Sequence, residues 1–332
     1  MTAYVDGVVV WGLPPTPQGS KATDPAAVPT IRGQVVPSSR PTPSVPSPPA
    51  GGSGGATQPG GPVAGRITAN VFFDDFSYTN SDDPRFTRTW SVRTEPGGPG
   101  QRGARWSKST VSFLPSVNGS TLRMVASTDG SSGNTLQSEV FTQRQKFFTG
   151  TYAARVRFSD NPTGPTGAHV NQTFFTITEL HFDNDPLYSA MNFEYLPLGG
   201  WGDNRRQLDL TTYYTYDAST GVMDNQFTVI PRSFDGWHTL VMQAGNGTVT
   251  FYVDGVRLFS TGGKYYPRRS MSIYFNEWFI DGELGGPGAV RSYEQQVDWV
   301  YFASNKVLAP AAVLAQVSAH RAAGTAFTDT VA

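Results

Sequence analysis

The 332-residue chain has no cysteine, which excludes a disulfide framework and any thiolate metal site. It has only four histidines, His169, His181, His238 and His320, and no two are spaced as a close pair of metal ligands. A catalytic zinc is therefore not expected. Charged residues make up 15% of the chain, and the formal net charge is −1. So even a balance provides no bulk attraction to nucleic acid or to an anionic membrane, and neither is expected as a partner. No apolar run reaches the roughly eighteen residues of a transmembrane helix. The first residues, Met1 to Asp6, lack a positive segment, and Val8-Val9-Val10-Trp11 is too short for the apolar region of a signal peptide. The expectation is an extracellular or virion-associated protein that leaves the cell by another route, such as lysis.

What the chain does have is aromatic and turn-forming. Aromatic residues make up 13%, with 36 glycines and 25 prolines, a profile that fits a turn-rich all-β protein. Three segments separate by composition. Residues 1–66 carry one short apolar stretch, Val5 to Leu13, then prolines every few residues through Pro49, then Gly51-Gly52-Ser53-Gly54-Gly55. That pattern reads as an extended Pro/Gly-rich arm and linker with nothing to build a core from. Residues 67–304 read as successive short strands, the β-sandwich segment. Residues 305–332 read as a short helix and tail. Pro310 suits a first-turn position, Gly324 a stop, and Val313, Leu314 and Val317 a narrow apolar stripe. The stripe would dock on the sandwich or on another copy of the chain.

The most informative stretch is Tyr188-Ser189-Ala190-Met191-Asn192-Phe193-Glu194-Tyr195-Leu196-Pro197, followed by Leu198-Gly199-Gly200-Trp201-Gly202. Alternation with period two puts Met191, Phe193 and Tyr195 on one face of a strand, suited to a sandwich interior. Ala190, Asn192 and Glu194 fall on the other face and would line a cleft. Further on, Asp254-Gly255 in Tyr-Val-Asp-Gly-Val reads as a tight hairpin turn.

The Ala-x-Asn-x-Glu strand and its Gly/Trp turn resemble the Glu-x-Asp-x-Glu signature of glycoside hydrolase family 16, the laminarinase- and lichenase-like glycosidases. Four other segments resemble the family in the same order. They are Leu136 to Phe141 leading to Phe148-Thr149-Gly150-Thr151-Tyr152 and Ala154-Arg155, then Gly236-Trp237-His238, then Met271 to Trp278, then Gln296 to Phe302. The resemblance spans about residues 70–303. It implies a concanavalin-like β-jelly roll of two antiparallel sheets, with a glycan cleft across the concave one.

The departures from the signature carry the functional expectation. Glu194 occupies the acid/base position, Ala190 the nucleophile position and Asn192 the position of the intervening Asp. Retaining glycosidases need two carboxyl groups about 5–5.5 Å apart. A methyl group at Ala190 is no nucleophile, and Asn192 removes a charge that would tune its neighbours. Ala190 reads either as a natural loss or as an engineered removal of a nucleophile, and the second leaves Asn192 unaccounted for. Other carboxylates close in sequence are Glu179, Asp183, Asp185, Asp209 and Glu277. Of these Glu277 is the expected substitute, because the family places its strand beside the cleft. Trp201, Tyr213, Tyr214 and Trp278, with Glu277, are the expected glycan contacts, since the C–H faces of pyranose rings suit a π surface. His238 reads as a packed or hydrogen-bonded residue. The family often holds a structural calcium on the convex side, and Asp298, with Asp74 or Asp75, matches its position; no other cofactor is expected. The function expected is that of a polysaccharide-binding, catalytically degenerate glycosidase-like protein, in the setting of a phage minor tail or adhesion protein. Its other partners would be virion tail proteins or copies of itself. The alternatives are an active endo-acting family 16 hydrolase and a structural assembly protein that binds no glycan.

Overall fold

A computed structural model describes residues 69–332, so the expected arm of residues 1–66 lies outside the described residues. The first strands are β1 (Val71–Asp74), β2 (Trp90–Val92), β3 (Arg105–Trp106), β4 (Val111–Ser116), β5 (Gly119–Thr128) and β6 (Leu136–Thr142). Next come β7 (Gly150–Phe158), β8 (Val170–Ile177), β9 (Ala190–Leu196), β10 (Gln207–Tyr216), β11 (Met223–Ile230) and β12 (Gly236–Gly245). The chain ends with β13 (Thr248–Val253), β14 (Val256–Gly262), β15 (Ser272–Phe279), β16 (Arg291–Ser304), the helix α1 (Pro310–Ala322) and β17 (Phe327–Asp329).

These strands form the expected jelly-roll sandwich. One antiparallel layer runs β2-β6-β15-β8-β9-β10-β11 and holds the signature strand at β9. The other runs β4-β5-β16-β7-β12-β13-β14, with β1 beside the second half of β16 and β17 beside β1. Two-residue turns close the last hairpins. Asn246 and Gly247 have φ of 54° and 73°, and Asp254 and Gly255 have 50° and 80°. Positive φ at both central residues matches the right-handed twist of the flanking strands, as Asp-Gly implies.

The core between the layers is aromatic. Phe275 of β15 stacks on Phe174 of β8 at 5.2 Å and meets Phe76 and Trp90 at 6.1 and 6.2 Å. Met191, Phe193 and Tyr195 of β9 all lie in this core, as the alternation requires, and the Phe193 ring meets Phe251 of the opposite layer edge-on. Offset and edge-on ring pairs add to the stabilisation from burial itself.

Helix α1 packs on the outside of the second layer. Pro310 sits in its first turn, and Gly324, at φ 65°, ends it. The apolar stripe differs from expectation: Val313 and Val317 are buried against Phe73, Trp299 and Tyr301, but Leu314 is 44% exposed. The third inward residue is His320, fully buried and stacked on Phe73 at 4.5 Å, where a spacing of i, i+4, i+7 places it. Neither of its ring nitrogens has a hydrogen-bond partner. Burial pushes its pKa below the ordinary histidine value, so the native helix holds a neutral imidazole.

Two outcomes follow from this core. Phe275→Ala should lower stability by about 3–5 kcal/mol in denaturant titration, the usual range for a buried phenylalanine. Because the depressed His320 pKa makes the unfolded chain the better proton acceptor, its contribution is complete above pH ~6.5 and is lost as pH falls below that value. Thermal melts from pH 7 to 5 should show a smaller drop for His320→Phe than for the wild-type chain.

Candidate glycan-binding cleft

Register across the first layer decides which side chains share its outer face, the one the family resemblance expects to be concave and to hold the cleft. Glu139 of β6 pairs with Asn276 of β15, which pairs with Thr173 of β8. Thr173 pairs with Glu194 of β9, which pairs with Asp209 of β10. These five residues therefore form one row across the sheet, and directly paired residues project side by side from the same face. The row is tied together by hydrogen bonds. Asn276 Nδ2 donates to Glu139 at 3.0 Å, and Thr173 Oγ1 donates to Asn276 Oδ1 at 2.5 Å.

Glu194 is held by two amides. Asn171 Nδ2 donates to one carboxylate oxygen at 2.9 Å and Asn192 Nδ2 to the other at 3.0 Å. Burial raises the Glu194 pKa above the ordinary glutamate value, and the two amide donors pull it part of the way back. Asp209 beside it is pushed up to about 7, first by burial and then by the charge of Glu194, against one opposing hydrogen bond from Gln207. Two carboxyl groups paired across adjacent strands cannot both ionise freely, so the pair holds a proton near neutral pH.

The position expected for a nucleophile looks different. Ala190 pairs with Ile177 on one side and Tyr213 on the other. It is buried in a cluster with Phe175, Ile177, Leu180, Tyr188 and Tyr216. One residue closer to Glu194 along the face, Phe141, Tyr274 and Phe175 form a cross-strand stack with centroid spacings of 5.0 and 4.9 Å. Half of the concave face is thus aromatic and the other half polar.

The expected aromatic contacts divide along the same lines. Trp201 stands 60% exposed in the turn after β9, at φ 53°, with its ring edge-on to Trp278 at 6.2 Å. Trp278 is 8% exposed and donates its indole N–H to Asn276 Oδ1 at 3.0 Å. Both border the polar row. Tyr213 lies on the concave face, beside Ala190. Tyr214 does not join it: a register shift between Tyr213 and Thr215 turns the ring under Arg268 and Lys264, at 4.5 and 5.2 Å.

Glu277 requires the plainest correction. As the neighbour of Asn276 and Trp278 on one strand, it must point to the opposite face. It is fully buried between the layers, where Ala126 N–H of β5 donates to it at 3.1 Å. Burial drives its pKa well above the ordinary glutamate value, so it is a neutral interior acid and cannot contact sugar or replace a nucleophile. Among the acids close in sequence, Asp209 is the one that register brings beside Glu194. The signal for it was in the sequence: Gln207, Asp209, Thr211 and Tyr213 alternate with Leu208 and Leu210. Asn171, which continues the phase of Thr173 and Phe175, could have been found the same way.

The calcium expectation meets a different cation. Arg321 of α1 donates to Asp298 Oδ1 at 2.7 Å, and Arg155 lies 3.7 Å from Oδ2. Asp74 accepts hydrogen bonds from Tyr78, Trp90 and the Phe76 amide. Asp75 Oδ1 accepts from the Ser77 amide at 3.1 Å. The Asp74 oxygens already face donors, and the guanidinium groups at Asp298 would repel a divalent ion, so Asp298 and Asp74 as placed do not fit calcium. Among the described residues, no group of three or more His, Asp or Glu side chains is placed to hold a metal. His238 Nδ1 donates to Asp254 Oδ2 at 2.6 Å, in the other layer.

If Glu277 is a buried neutral acid, its raised pKa costs stability as pH rises above the unfolded value of about 4.3. Glu277→Gln should therefore melt higher than the wild-type chain at pH 8, with the gap closing toward pH 4, and should leave the concave face unaltered.

No protein-family model matches the chain, and no curated protein matches it in sequence. Solved structures do match in fold. The β-glucanase of Bacillus licheniformis is 18% identical, with a TM-score of 0.52 over 71% of this chain and 99% of that one. A prokaryotic β-1,3-1,4-glucanase (lichenase) from a mouse hindgut metagenome is 19% identical, with a TM-score of 0.52 over 70% and 99%. A glycoside hydrolase family 16 endo-glucanase of Bacteroides ovatus is 16% identical, with a TM-score of 0.53 over 69% and 98%. The sandwich of this chain is therefore a jelly roll of the kind found in family 16 glucanases.

Proposed function

We propose that the chain binds a β-glucan-like polysaccharide along its concave face and does not hydrolyse it. The observation that carries this reading is the setting of Ala190. A nucleophilic carboxylate needs polar neighbours to ionise, whereas Ala190 is enclosed by Phe175, Ile177, Leu180 and the rings of Tyr188 and Tyr216, a mostly apolar setting. Removing a nucleophile from an active enzyme would leave a polar socket. An apolar one favours a natural loss, with the surroundings repacked. The neighbours in fold are glucanases, and one was solved with the ligand G4G3G-2F-DNP, which supports a glucan as the ligand class.

A second reading has one observation in its favour. Asp209 lies directly across from Glu194, so the cleft does hold two carboxyl groups, and an endo-acting hydrolase using that pair is the competing function. For the setting, the Pro- and Gly-rich first 66 residues suit a spacer that presents the sandwich from a larger assembly, such as a phage tail. Purified virions that lack the chain by mass spectrometry would overturn that setting.

Affinity electrophoresis in gels containing laminarin or lichenan should retard the protein, and incubation with either polymer should release no reducing ends. Trp201→Ala should weaken retention about 10-fold, as loss of an exposed stacking ring does, without changing the melting temperature. Reducing-end release that disappears in Glu194→Gln would overturn the binding-only reading in favour of the hydrolase.

A further inference from the structure

The polar row and the residues beside it on the same face have more acceptors than the protein supplies donors for. Asn171 Oδ1, Asn192 Oδ1, Gln207 Oε1 and Asp209 Oδ1 are all buried without a hydrogen-bond partner. Two of these side chains are deeply buried, Asn171 at 0% and Gln207 at 6% exposed, so their orientation is fixed by their surroundings. Their amide nitrogens are already committed: Asn171 and Asn192 donate to Glu194, and Gln207 donates to Asp209. The oxygens cannot exchange places with those nitrogens without setting oxygen against carboxylate. What remains is a group of acceptors in and beside the row, on the strands that Trp278 and the exposed Trp201 border.

The charge of the row points the same way. Glu139, Glu194 and Asp209 place three carboxyl groups in register across the sheet. The cation beside them, Arg93, is 3% exposed, pairs with Glu139 at 3.5 Å and covers the Trp106 ring at 4.4 Å. It is not free to meet a ligand anion. A carboxylate or sulfate group entering this row would find acceptors and negative charge where it needs donors.

From this we infer that the cleft is selective for uncharged polysaccharide, recognised through hydroxyl groups that donate to the polar row, and excludes uronate or sulfated chains. Asp209 is the specificity-determining residue, because it adds both negative charge and an unpaired acceptor. Sugar hydroxyls satisfy the orphaned oxygens, whereas an anionic substituent leaves them unpaired and adds like-charge repulsion. The inference rests on the polysaccharide-binding reading and specifies its ligand.

The test compares laminarin with its carboxymethyl and hydroxyethyl ethers, matched in chain length and degree of substitution, by affinity electrophoresis at pH 8 using the full chain. The two ethers share bulk but differ in charge. Laminarin and the hydroxyethyl ether should bind alike, and the carboxymethyl ether at least 10-fold more weakly. Asp209→Asn, which keeps the shape and removes the charge, should narrow that gap at least 5-fold. Equal binding of the carboxymethyl ether, or a gap unchanged by Asp209→Asn, would overturn the selectivity and leave polysaccharide binding standing. Rejection of both ethers would overturn it too, since bulk rather than charge would then be excluded. Binding to none of the three would remove the polysaccharide reading and this inference with it.

Discussion

Cross-strand register in the β6-β15-β8-β9-β10 layer is the constraint on which the rest of the molecule depends. Each strand has one face in the aromatic core and one in the cleft, so a one-residue slip would exchange the two sets entirely. Such a slip in β9 would expose Met191, Phe193 and Tyr195 and drive Glu194 into the core. The cost of that exchange locks the register. It is the core, then, that aligns Glu139, Asn276, Thr173, Glu194 and Asp209 in one row, and no cleft interaction is needed to place them.

The two halves of the concave face follow from that alignment. Along β8, Asn171 and Thr173 supply polar groups at one end, and Phe175 and Ile177 supply apolar ones at the other. Along β9 the matching positions are Glu194 and Asn192, then Ala190. On β8 the change from polar to apolar falls after Thr173, and on β9 one pair further along, after Asn192, so the alanine at position 190 belongs to a patch and is not isolated. A carboxylate restored at Ala190 would face Ile177 and Phe175, and burying a charge against such apolar side chains is costly unless a hydrogen bond compensates it.

Much of this was legible in the sequence, because period two is a strong signal. The faces of β9, the Asp254-Gly255 turn, the first-turn proline and terminal glycine of α1, and the partnered character of His238 can all be read from spacing and turn chemistry. What escaped reading was phase. Glu277 and Trp278 are adjacent, as are Tyr213 and Tyr214, so neither pair can share the cleft while the strand is regular; choosing the correct member needs the inward partner, Phe275 in one case and Leu210 in the other. In β10 a register shift also intervenes, which no pattern in Thr-Thr-Tyr-Tyr-Thr-Tyr announces. For Asp209 the phase was readable from the alternation of β10, but its partner was not. Its partner Glu194 is 15 positions away in sequence, and only the pairing of β9 with β10 brings them together. Asp298 shows the same limit from the other side: its short motif resembles a metal ligand, but Arg321, from a helix outside the sandwich, determines its chemistry.

The polar row is the part of the molecule at odds with its own stability. Each buried acceptor left unpaired costs about 1–3 kcal/mol, a substantial share of the roughly 5–15 kcal/mol by which a domain is stable. Asp209 and Glu194, held with raised pKa values, add to that cost at neutral pH. A core as densely aromatic as the one around Phe275, Phe174 and Trp90 can sustain such a row, and nothing in the fold requires it, since apolar residues fill the corresponding positions a few ångströms away at Phe175 and Ile177. Groups that are expensive to keep and structurally dispensable are best explained by what they meet when the cleft is filled. Water or sugar hydroxyls pair these oxygens equally well one by one, but only a ligand with several hydroxyls on one rigid ring pairs them together without ordering as many separate molecules. The physical case for the proposed glycan thus lies less in Glu194 than in the unpaired oxygens around it.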